Sequence, residues 1–186
     1  DPSLPEWSKD QIASLKQWAA SAPKDALPLF DTAELDAAAA KWGAGEEKRR
    51  AATALAEKLA KAHLHGCAAA EEREEWFMKD EGDSADLRGR LAEALGRSEN
   101  LDGFFASLRP AHPDYAILRT AFLSETDPAR RTTIARNLER WRWLPQDLGA
   151  RHIFVNVPDY SLALVDSERV IHTSRVIVGK PETPTP

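Results

Sequence analysis

Cysteine is almost absent from this chain. Cys67 is alone in 186 residues, so no internal disulfide can form and the count does not show secretion. Basic residues are also in deficit, 25 Lys and Arg against 30 Asp and Glu, for a formal charge of −5 and a pI near 5.6. Nucleic-acid binding needs clustered Lys and Arg, so the balance argues against that partner class. No apolar stretch approaches the roughly 20 residues that a membrane span requires, and no transmembrane segment is expected. The opening Asp1-Pro2-Ser3-Leu4-Pro5 has neither a basic n-region nor an apolar h-region, which fits a mature secreted chain or a trimmed one.

What remains is ordinary globular composition, 42% apolar and 30% charged, enough for one large domain or two small ones. Its first 145 or so positions carry helical periodicity. Ser8-Lys9-Asp10-Gln11 has the form of a capping box, and Ile12, Leu15, Trp18 and Ala19 follow at helical spacing. Asp31 with Glu34 starts a second helix carrying Leu35, Ala38 and Trp42, which Gly43 can close. A third and longest runs from about Glu46 to Leu64, with Gly66 just past its end. Trp76-Phe77-Met78 is an apolar island among acidic residues that periodicity does not assign.

Leu87, Leu91 and Leu95 mark a helix begun near Asp83 or Ser84 and ended near Gly96. Leu101, Phe104, Phe105 and Leu108 make a brief one before Pro110, and Tyr115, Leu118, Ala121 and Phe122 another. The clearest helix begins at Asp127-Pro128, an N-cap followed by proline at the first helical position. It carries Ile134, Leu138 and Trp141, and stops before Pro145.

After Gly149 the period changes to two. Ile153, Val155 and Val157 share one face of a strand, and Leu162 and Leu164 repeat the pattern. Val170, Ser174, Val176 and Val178 are expected to face one way in a third run, with Ile171 and Ile177 opposite. The polar turn Asp166 to Arg169 makes the second and third strands a hairpin. Three strands are a poor domain alone, so the β region reads as opened and unfinished. The expected class is α+β: a helical region over 1–126, a connecting helix over 127–145, and opening strands of a truncated β-rich domain over 146–186.

The string Asn137-Leu138-Glu139-Arg140-Trp141-Arg142-Trp143-Leu144-Pro145 is the most specific in the chain. With Ile153-Phe154-Val155-Asn156-Val157-Pro158, and with Arg175-Val176-Ile177-Val178-Gly179-Lys180-Pro181 before Thr185-Pro186, it resembles the opening of the YkuD-type catalytic domain of L,D-transpeptidases. The large, multidomain (YcbB-like) subgroup is the one it resembles. Upstream, the Leu55 to Gly66 helix and the Leu108-Arg109-Pro110-x-His112-Pro113-x-Tyr115-x-x-Leu118 segment are similar to the helices preceding that domain. Many relatives insert a small peptidoglycan-binding module before the Asn-x-Glu-Arg-Trp-Arg-Trp helix; here only Leu123 to Arg131 stands in that place.

The resemblance implies a periplasmic or cell-envelope protein acting on peptidoglycan stem peptides through a cysteine thioester, with no cofactor. It also implies that the family's signature, a His and later Ser-His-Gly-Cys followed by an apolar residue and Arg, lies beyond Pro186. No catalytic residue is therefore expected in this chain, which alone should be inactive. The substrate-binding surface and oligomeric state stay unassigned. A rival reading is a non-catalytic helical scaffold or peptidoglycan-binding envelope protein, and a third makes Cys67 the nucleophile of an unrelated thiol enzyme.

Candidate sites carry bland readings beside sharp ones. His65-Gly66-Cys67 reproduces part of the signature, but Leu64 precedes it and Ala68-Ala69 follow; the ordinary reading is a C-cap glycine and a small buried cysteine. His63, His65 and Cys67 alternate, yet residues two apart on a helix diverge and no fourth ligand follows, so no metal is expected. Arg140-Trp141-Arg142-Trp143 could stack on sugars or bases. The alternative puts Trp141 and Leu144 in the core and leaves the arginines solvated or paired to Glu139 and Asp147. Gly179-Lys180 lacks the upstream glycine and following Ser or Thr of a phosphate loop, and the Glu71 to Glu75 run reads as a solvated face.

Overall fold

A computed structural model of the protein describes residues 6–41, 43, 45–69, 72, 73, 84–96, 101–145, 148–180 and 183. The chain divides into two compact units, residues 1–146 and 147–186. The first is helical and the second is a small antiparallel sheet, an α+β organisation. Trp42, Trp76-Phe77-Met78, Asp83 and Asp147 lie outside the described residues.

In the helical unit, α1 (Lys9–Ser21) starts at the expected capping box: the Ser8 side chain accepts the Gln11 N–H, and the Gln11 side chain accepts the Ser8 N–H. The other end of the Gln11 amide donates to the Leu95 carbonyl at 2.9 Å, so one residue caps α1 and ties it to the end of α4. A 3₁₀ turn over Ala22–Asp25 follows, closed by Ala26 in the left-handed region. α2 (Ala33–Ala40) starts one residue later than expected from an N-cap at Asp31; Thr32 is the cap position, and Asp31 accepts the Ala33 N–H instead. α3 (Gly45–His65) ends as the sequence predicts. Gly66 has φ +80° and donates its N–H to the Ala62 carbonyl, an αL cap that a β-carbon would strain.

α4 (Ser84–Gly96) and α5 (Leu101–Ser107) complete a core with α1, α2 and α3. Leu15, Leu35, Leu59, Leu91, Phe105 and Leu108 are essentially inaccessible there. Each such side chain contributes on the order of 1.5–3 kcal/mol through removal from water. α6 (Pro113–Ser124) and α7 (Pro128–Trp143) both place proline at the first helical position, after caps supplied by His112 and Asp127. They pack on each other through Tyr115, Phe122 and Leu138, with Leu118, Ile134 and Trp141 partly buried around them. α7 also packs on α3, so it belongs to the helical unit.

The second unit is a meander of β1 (Arg151–Asn156), β2 (Ser161–Asp166) and β3 (Arg169–Arg175), in that order. The hairpin between β2 and β3 turns at Ser167 and Glu168, both with positive φ, as a two-residue type I′ turn requires. Ile153 pairs with Leu164 and Val155 with Leu162, so these four share a face. β3 departs from the expected alternation. Val165 opposes Val170 while Leu164 opposes His172, which leaves Ile171 as a bulged residue. Val170 and Ser174 therefore lie on opposite faces. Ile153, Val155, Val170 and Ile171 are all exposed. Among the described residues no helix is long and apolar enough to cross a membrane.

Candidate functional site

The densest chemistry in the helical unit gathers around Asp25, at the end of the 3₁₀ turn. Its carboxylate is inaccessible to water and accepts from Arg109 Nη2 at 2.8 Å and from Arg119 Nε on α6. Its backbone carbonyl accepts from Arg142 Nη2, which also donates to the Tyr115 hydroxyl at 2.9 Å. Arg142 Nη1 reaches Glu139 Oε2 at 3.1 Å. Burial pushes the Asp25 carboxyl up, but the hydrogen bonds and charges of Arg109 and Arg119 outweigh it and hold the group below the usual carboxylate range. Burial raises the Tyr115 phenol, so it stays neutral. Every oxygen here is occupied by a protein donor. Such an arrangement holds helices together and leaves no free acid or base.

His63, on α3, is inaccessible to water and has no hydrogen-bond partner at either ring nitrogen. Its ring meets Trp18 edge-on at 5.6 Å between centroids and lies 6.4 Å from Phe105. Burial lowers its pKa to about 4; the Asp25 charge opposes this, and Arg109, Arg142 and Arg119 reinforce it. The imidazole is neutral over the ordinary pH range.

At the end of α3 the sequence expectation needs correcting. Cys67 is exposed, not buried, because the αL turn at Gly66 swings the chain out of the helix. Its backbone N–H and that of Ala68 both donate to Glu139 Oε1, at 2.6 and 2.8 Å. Trp143 Nε1 approaches the same oxygen at 3.4 Å. Partial desolvation of the thiol, and then the Glu139 charge, push the Cys67 pKa up. A catalytic thiol needs the opposite shift. The two amides that could stabilise an oxyanion are filled by a carboxylate. His63 faces the core while Cys67 is exposed, and among the described residues no group of three or more His, Cys, Asp and Glu side chains could hold a metal.

Arg140-Trp141-Arg142-Trp143 divides into four environments. Arg140 is exposed, whereas Arg142 is buried and paired to Glu139, Tyr115 and Asp25, not solvated. Trp141 is half-buried, not core, and stacks on the His112 ring at 4.6 Å; Leu144 is likewise intermediate. Trp143 lies beneath the Arg73 guanidinium at 5.2 Å. Lys180 and Thr183 exchange both backbone hydrogen bonds. The Asp25 cluster carried no sequence signal, since Asp25 stands 84, 94 and 117 residues from Arg109, Arg119 and Arg142. No protein-family model matches the chain, and no curated protein matches it.

Proposed function

We propose that the chain is part of a peptidoglycan L,D-transpeptidase of the YkuD type, made of a helical scaffold and the first strands of the catalytic domain. One observation carries the reading: three specific strings occur in the family's order. They are Asn137 to Pro145 on α7 and beyond, Ile153 to Pro158 on β1 and beyond, and Arg175 to Pro181 starting from the last residue of β3. The exposed sheet supports it. Ile153 and Val155 with Leu162 and Leu164 make one face apolar, and Val165 with Val170 contributes to the other. Three strands are too few for an independent core, so more protein belongs against them.

In this reaction a cysteine thiolate attacks a stem-peptide carbonyl, expels the terminal D-residue and holds the stem as a thioester. An amine of a neighbouring stem then attacks the thioester, forming the cross-link and releasing the thiolate. The raised thiol pKa and the filled amides argue that Cys67 is not that nucleophile. The catalytic His and Cys belong to sequence after the Gly179-Lys180-Pro181 segment, and the site of action is the cell envelope.

The test is the coding sequence downstream of Pro186. It is expected to continue in frame into a His and then Ser-His-Gly-Cys with a nearby Arg. A frame without that signature would refute the reading and leave a non-catalytic helical scaffold that binds peptidoglycan or an envelope partner. That second reading draws on the helical unit's own closed core and on an Asp25 carboxylate held by both Arg109 and Arg119.

A further inference from the structure

We propose that His63 is an acid-sensitive lock in the helical unit: proton uptake by its imidazole opens the contact among α1, α3 and α5 as the medium becomes mildly acidic. The inference is independent of the transpeptidase reading.

The geometry leaves a charged imidazole nowhere to go. His63 is inaccessible to water, and neither nitrogen has a hydrogen-bond partner. A neutral ring tolerates such a cage, since it packs as an aromatic against Trp18 of α1 and Phe105 of α5. An imidazolium there would lose its hydration and gain no hydrogen bond in return, only the attraction of an Asp25 carboxylate already engaged by Arg109 and Arg119. Among the described residues its surroundings offer no free anion. α1 and α5 face it with the uncharged Trp18 and Phe105 rings. The charged groups acting on it are Asp25 from the 3₁₀ turn, Arg109 after α5, Arg119 from α6 and Arg142 from α7. Both Asp25 oxygens are already held by Arg109 and Arg119, so one engaged carboxylate stands against three guanidinium groups.

Protonation therefore favours a state in which the ring reaches water. The closed unit holds the imidazole near pKa 4, whereas an opened unit would return it toward about 6.5. Between those values the opened state binds the extra proton. The closed state is at full strength above about pH 6.5, loses ground as pH falls below it, and stops losing near 4. From pH 7.5 to 5.0 the opening equilibrium is expected to rise on the order of 30-fold.

The test is denaturant unfolding of the whole chain, followed by helical circular dichroism at pH 7.5, 6.5, 5.5 and 5.0, for the wild type and His63→Leu. Leucine fills the site without a titrating group, and the other four histidines remain in both proteins. The wild type should lose most of its stability advantage by pH 5.0, and His63→Leu should lose little. An equal loss in both would overturn the proposal. Should His63→Leu fail to fold, nuclear magnetic resonance titration of the wild-type imidazole decides. A ring that stays neutral to pH 5 in the folded chain supports the lock, and a midpoint near 6.5 in the folded chain overturns it.

Discussion

The Glu139 carboxylate, on α7, accepts the backbone N–H of Cys67, just past the end of α3, at 2.6 Å. The same oxygen takes the Ala68 N–H at 2.8 Å, and the other oxygen takes Arg142. One side chain thus joins the α3 terminus to α7 and to the buried Asp25 cluster.

Gly66 sits directly beneath that carboxylate. A β-carbon at position 66 would fall well inside contact distance of Glu139, at a φ of +80° that L-residues avoid. Glu139→Ala should destabilise the helical unit by roughly 1–3 kcal/mol, through the unpaired amides and the weakened Arg142. Gly66→Ala should cost about 1–2 kcal/mol for the left-handed backbone, plus the displacement of Glu139. In the Glu139→Ala background only the backbone part should remain. A double-mutant cycle by denaturant unfolding checks this, and strictly additive losses would mean the two residues do not meet.

The Cys67 thiol should react slowly. Partial desolvation and then the Glu139 charge raise its pKa, so the thiolate forms only above the ordinary range. Labelling rate against pH with a small thiol reagent should show a midpoint above the free value of about 8.5. Glu139→Gln should bring the midpoint down by removing the neighbouring charge. A wild-type midpoint below the free value would mark Cys67 as activated and reopen it as a nucleophile.

Asp25 should dominate the acid limb of stability. Its carboxyl is fully buried between Arg109 and Arg119, and removing the charge leaves those guanidinium groups uncompensated. Asp25→Asn should cost on the order of 3–5 kcal/mol at pH 7. Because the folded pKa lies below the unfolded one, the wild-type contribution is present above about pH 3.9 and is lost as pH falls through the folded value. Acid unfolding curves of the two proteins should therefore converge at the lowest pH. Parallel curves would show that Asp25 does not set the acid limb.

Much of the helical architecture was legible in local sequence. The Ser8 to Gln11 box, Gly66 and Asp127-Pro128 each act within a few residues, and each stands where its chemistry predicts. The Asp25 cluster was not legible, because Arg109, Arg119 and Arg142 reach it from 84, 94 and 117 positions away. Helical spacing does put Arg142, four residues after Leu138, on the buried face and Arg140 off it, but spacing alone does not say that Asp25 and Tyr115 meet it there. The bulge at Ile171 was hidden for a related reason: an apolar alternation predicts faces only while pairing stays in step.

Trp141 is a corresponding correction with a measurable consequence. It is half-buried against His112, whereas Leu138, one turn earlier, is inaccessible. Leu138→Ala should cost about 2–5 kcal/mol. Trp141→Ala should fall below that, about 2 kcal/mol, since part of the ring already meets water. Thermal unfolding of the pair decides the order, and an equal or larger loss for Trp141→Ala would restore it to the core.

The central claim is that these helices and strands serve a cysteine acyltransferase whose nucleophile is not Cys67. The direct measurement is incubation of the full translated product of the gene with purified tetrapeptide muropeptides, followed by mass analysis. A cross-linked dimer lacking one terminal D-residue is expected, formed equally well by the Cys67→Ser variant. Absence of the dimer from the folded wild-type product, or its loss in Cys67→Ser alone, would contradict the account.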